Sequence, residues 1–222
     1  MAKEIRNENA EAVVEAVSKT EKFFNENGKL FGGVLAGLVV VALAAFCWFK
    51  FAYQPAVAEA EGQMALAEQN FRAADYELAL NGDGNVLGFA QIIDEYGAKA
   101  GKAAQFYAGV CELQLGNYEE AVSYLKAYKG KDAILKARAL ACIADCHVEL
   151  GNYEKAYENY VAALNTADND LAAEYAFRAG LVAEKLGNKA DALAMYNTVK
   201  ENYPSSPRAN EILKYISRAE AK

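Results

Sequence analysis

Apolar residues are arranged in two different ways along this chain. From Leu30 to Phe49 they dominate a run of twenty residues without a charge, closed by Lys29 and Lys50. Beyond it they recur every three or four positions, separated by polar and charged residues. The first pattern predicts a helix with apolar surroundings on all sides, the second a series of amphipathic helices that bury one face. At about 1.5 Å per residue the first run is roughly 30 Å long, the thickness of a hydrocarbon core. Backbone groups in lipid must be paired within their own segment, so the run is expected as a transmembrane helix. Trp48, Phe49, Phe51 and Tyr53 gather at its far end like an interfacial aromatic belt.

Flanking charge sets the direction of that helix. Lys19, Lys22 and Lys29 precede it closely, whereas the next positive residue after Lys50 is Arg72. The positive-inside rule then leaves the N-terminus in the cytoplasm and carries the rest of the chain across. A cleaved signal peptide is disfavoured, because its leader should be short and basic, and here twenty-nine residues with six acids come first. Bulky Phe46 before Cys47 argues against lipidation. Gly33 and Gly37 have the small-xxx-small spacing that lets membrane helices pack closely. With the stripe Val13, Val17, Thr20 and Phe24, they make self-association, and so a homo-oligomer, an open expectation.

The amphipathic part repeats a phrase. Leu115-Gly116-Asn117, Leu150-Gly151-Asn152 and Leu186-Gly187-Asn188 follow one another at 35 and 36 residues. Five residues after each Gly stand Ala121, Ala156 and Ala192, and four later Leu125, Tyr160 and Tyr196. Seven residues before each Gly stand Gly109, Ala144 and Gly180. Small residues at fixed places let two antiparallel helices cross closely, the larger side chain fills the space beside them, and Gly-Asn ends the first helix of each pair.

This period and these positions resemble tetratricopeptide repeats, although Gln105, Leu140 and Ala176 stand where the family keeps a tryptophan. The resemblance implies an all-α fold: one N-terminal transmembrane helix followed by an α-solenoid. The expected divisions are a cytoplasmic, partly helical segment 1–29, the membrane helix 30–50, and a connecting helix with a degenerate first hairpin 51–103. Three repeats 104–207 and a capping helix 208–222 follow. Met64, Ala67, Phe71, Ala74 and Leu78 read as one helical stripe within the degenerate hairpin. In the family, the first helix of each hairpin lines a concave protein-binding face. Carried over, that face holds Phe106, Val110 and Leu113, then Arg138, Asp145 and Glu149, then Phe177, Leu181 and Glu184, with packing between hairpins the competing reading of Phe106 and Phe177.

Charge and side-chain chemistry narrow the function by exclusion. The net charge is −7 and there is no basic stripe, so nucleic acid is not an expected partner. The only histidine, His147, follows Cys142 and Cys146 in a spacing that fits neither a zinc finger nor haem attachment. Neither a nucleophile–base pair nor a phosphate loop can be read, so no enzymatic activity, cofactor or metal is expected. Layout and the phrase Phe23-Phe24-Asn25-Glu26-Asn27-Gly28-Lys29 resemble the YfgM-type family of ancillary Sec-translocon proteins. That resemblance implies a bacterial inner-membrane protein with a periplasmic repeat domain. Its implied partners are the SecYEG translocon and a membrane-anchored periplasmic chaperone. An envelope scaffold that organises wall, division or outer-membrane assembly complexes is the competing expectation.

Overall fold

A computed structural model describes residues 2–166 and 171–221, with side chains from residue 17 onward except 24 and 25. The chain divides into two compact units, Met1–Pro55 and Ala56–Lys222. In the first, helix α1 (Ala2–Trp48) passes into a π-helical turn, Phe49–Tyr53. None of the apolar window is buried, and the helix is long and apolar enough to cross a membrane. The wider π turn stacks Phe49 on Tyr53, with centroids 5.5 Å apart, and sets Trp48 5.6 Å from Tyr53. The segment before Lys29 is helical from Ala2 onward instead of only in part. Asn27 Nδ2 donates to the Phe23 carbonyl at 3.0 Å, a bond one turn back that carries the helix through Asn-Gly. Val13 and Phe24 of the sequence stripe lie outside the residues whose side chains are described.

The second unit opens with α2 (Gln54–Arg72), α3 (Tyr76–Asn81) and α4 (Phe89–Tyr96). The stripe read as one helix is two. Ala74 adopts a left-handed conformation (φ 59°), and the Asp75 carboxylate accepts the Leu78 N–H at 3.2 Å to start α3. The break shifts the register: Ala74 is exposed, while Ala79 and Leu80 join Met64 and Ala67 in the core. Phe71 closes this end of the core, 5.1 Å from Tyr107 and 6.3 Å from Phe89.

Three antiparallel hairpins follow: α5 (Ala103–Leu115) with α6 (Tyr118–Ala127), α7 (Ala133–Glu149) with α8 (Tyr153–Leu164), and α9 (Ala172–Lys185) with α10 (Lys189–Asn202). The Leu-Gly-Asn phrase has one structural meaning at all three turns. Gly116, Gly151 and Gly187 have φ of 84°, 72° and 75°. Each following Asn donates its N–H five residues back, to Glu112, His147 and Ala183 at 2.8–2.9 Å. Each Gly donates three residues back, which completes a Schellman cap. The small positions also act as read: a Cβ on Gly109 would lie 2.6 Å from Leu125 Cγ, and one on Gly180 would lie 2.7 Å from Tyr196 Cδ1. Ala121, Ala156 and Ala192 are fully buried between the paired helices. Burial of these faces against neighbours, not helix propensity, holds each hairpin.

A short 3₁₀ turn, Pro207–Asn210, leads into α11 (Ile212–Ala221). Ile212, Ile216 and Ala219 of α11 cover Phe177, Tyr196 and Val199, so the last hairpin does not end on an open apolar face.

Candidate functional site

The expected binding face falls on the first helices of the hairpins, α5, α7 and α9, and the structure sorts its nine residues into three groups. Phe106, Val110 and Phe177 are 3%, 9% and 4% exposed, so they form the support beneath the surface and not the surface. Phe106 lies 6.0 Å from Tyr128, with the Arg138 guanidinium 5.8 Å above its ring. Phe177 meets Tyr215 edge-on at 4.7 Å, and Arg208 lies 4.3 Å from its ring centre. Helical spacing gives the direction of each side chain from its own axis, and at these three positions that direction ends in the packed interior.

Leu113, Asp145 and Glu149 are brought together. They line a depression of about 320 Å³, completed by Gln114, Tyr118, Val148 and Arg178. Arg138 and Leu181 are exposed elsewhere on the first helices. Glu184 is drawn toward the C-terminal helix, where its carboxylate accepts from Arg218 Nη2 at 2.7 Å.

Arg178 is the residue that the sequence reading missed. Its Nη1 donates to Asp145 at 2.6 Å and its Nε to Glu174 at 2.7 Å. Glu174 in turn accepts from Arg208 Nε at 2.6 Å, and Arg208 Nη1 reaches Glu211 at 2.7 Å. Tyr160 Oη, from α8, donates to Asp145 from behind. Burial alone would raise the Glu174 carboxyl, but hydrogen bonds from Arg208 and Arg178 outweigh it and hold the group below the usual carboxylate range. Arg178 is likewise held charged, its burial outweighed by Glu174 and Asp145. Burial, and then the Asp145 charge, push the Tyr160 phenol upward, which keeps it a donor. A signal existed: Asp145 and Arg178 are 33 residues apart, and Glu174–Arg208 and Glu184–Arg218 are each 34 apart. Opposite charges one repeat apart fall on the same face of successive units.

Chemically the depression offers contact and charge. Among the described residues no group of His, Cys, Asp or Glu could hold a metal ion. Cys111, Cys142 and Cys146 are free thiols, each pushed up to about 12 by burial and so inert at neutral pH. Repeated helical hairpins that carry a depression of mixed apolar and charged lining define a protein-binding module. Its repeats are similar to tetratricopeptide repeats: that family's model matches residues 89–133 and 143–207, just under half of the chain. No curated protein matches the sequence significantly. Repeats of this family typically form non-catalytic scaffolds for protein interactions.

Proposed function

We propose that this chain is a membrane-anchored adaptor that assists exported proteins beside the Sec translocon, its concave depression gripping a segment of a partner protein. The observation that carries the reading is the pairing of two features in one chain. An apolar helix with no buried window precedes a repeat domain whose hairpins present Leu113, Asp145 and Glu149 together. Asp145 is engaged by Arg178, so the carboxylate left open to a partner is that of exposed Glu149, beside Leu113 and Val148. The segment that suits this surface is extended, with an apolar side chain next to a basic one. In this reading the N-terminus is cytoplasmic and the repeats face the periplasm of a bacterial inner membrane. SecYEG and a membrane-anchored chaperone are the partners.

Gly33 and Gly37 are open on the anchor: a Cβ on either would meet nothing within 4 Å. They are the positions from which to ask what the anchor touches. Photo-crosslinking residues placed there in the full chain, in native membranes, should capture a translocon subunit. Capture of wall or outer-membrane assembly components alone, or only of a second copy of this chain, would sink the Sec assignment. The first result would favour the envelope-scaffold reading and the second self-association through the glycine face.

A further inference from the structure

On the side of α7 away from the concave depression lies a larger one, about 490 Å³, which shares none of its lining residues. At 100° per residue, Lys136, Ala139, Leu140 and Ile143 lie roughly opposite Asp145, Val148 and Glu149 around the helix. We infer that this second depression is a binding site for an acidic peptide segment that carries an apolar side chain between its carboxylates.

Two properties of the site point to that chemistry. Its floor is apolar, made by Leu125, Tyr128, Ala139 and Ile143. Its rim carries Lys126, Lys129 and Lys136, and among the described residues no carboxylate lines it, in a chain whose net charge is −7. The complement of three cations around an uncharged floor is an anionic segment with an apolar anchor. A bare phosphate would satisfy the rim and leave the floor uncovered, which favours a peptide over a small anion.

The rim is organised by the loop between α6 and α7. Lys129 Nζ donates to the Lys126 carbonyl at 2.8 Å, which folds the Lys129 side chain back against the end of α6. Tyr128 is buried against Phe106, and Gly130 crosses directly over its ring. A Cβ at Gly130 would collide with the Tyr128 hydroxyl and ring, so a side chain there would displace the loop that carries Lys129. Asn159 on α8 completes the rim, its amide held by a 2.8 Å bond to the Lys155 carbonyl.

The test uses the full chain in detergent micelles and the fluorescein-labelled peptide DELFED, with the uncharged peptide NQLFQN as its comparison, followed by fluorescence anisotropy at low salt. DELFED should bind about tenfold or more tightly than NQLFQN. The triple variant Lys126→Gln/Lys129→Gln/Lys136→Gln should lose about tenfold or more in affinity, and the corresponding triple Arg variant should retain it. All three lysines are exposed, so these changes leave the core intact. Glu149→Gln, in the concave depression, should leave DELFED binding unchanged, which separates failure here from failure of the adaptor reading. Equal affinity for the two peptides would overturn the inference, as would binding that survives the Gln variant. Displacement of DELFED by millimolar glycerol phosphate, but not by equal sodium chloride, would also overturn it and assign the site to a phosphate or lipid headgroup.

Discussion

Gly180 makes the sharpest claim about how the hairpins close. In Gly180→Ala the new Cβ would lie 2.7 and 2.9 Å from Tyr196 Cδ1 and Cζ, and closer still to Cε1. The ring cannot swing aside, because Tyr196 is fully buried and held between Phe177 at 6.2 Å and Tyr215 at 5.8 Å. Overpacking of this kind costs about 1–3 kcal/mol, and a ring boxed on two sides belongs at the upper end. Alanine's better helix propensity returns about 1 kcal/mol, leaving a net destabilisation of roughly 1–2 kcal/mol. Gly62→Ala supplies the comparison, since Gly62 is exposed within α2 and a Cβ there meets nothing within 4 Å. It should stabilise by up to about 1 kcal/mol. Thermal unfolding followed by circular dichroism should therefore move Tm in opposite directions, down by about 2–8 °C and up by about 2–4 °C, if the domain unfolds cooperatively. If Gly180→Ala raised Tm as Gly62→Ala does, the close crossing of α9 and α10 would be wrong.

Two further outcomes follow from burial. His147 is 7% exposed, and burial, with Lys126 and Lys155 nearby, lowers its pKa, so the folded state binds its proton less readily than the unfolded one. Stability from this group is complete above the unfolded value of about 6.5 and is lost as pH falls below it toward the depressed folded value. Tm should accordingly drop between pH 7.5 and 5.5, with a smaller drop in His147→Gln; an identical drop in the variant would refute the assignment. Cys111, Cys142 and Cys146, each pushed up to about 12, should resist iodoacetamide at pH 8 in the folded chain and react in urea, as read by intact mass. Labelling of all three without denaturant would contradict their burial.

The repeat was legible because it is written in positions where few residue types fit. Leu-Gly-Asn encodes a helix cap, and the small residues at Gly109 and Gly180 encode a close crossing with Leu125 and Tyr196. The break at Ala74 was not legible, since its left-handed conformation is held by neighbouring packing and an Asp75 cap, with no glycine or proline to mark it. For Phe106 and Phe177 the sequence left two readings open, groove or packing between hairpins, and their burial selects the second. Helical period gives the direction of a side chain from its own axis, but whether that direction ends in solvent depends on the next hairpin's rotation. Arg178 went unread for a related reason: its role is defined by partners one repeat away, Asp145 and Glu174 among them, and by no local motif.

Those repeat-length ion pairs have a mechanical consequence. Asp145–Arg178, Glu174–Arg208 and Glu184–Arg218 each fasten one structural unit to the next across its surface, like cross-braces on a curved beam. Bending this end of the solenoid must stretch them, so they add a modest resistance to a deformation that the buried core alone does not oppose. Partly exposed charges are screened by ions. Salt concentration should therefore tune the stiffness of the C-terminal hairpins.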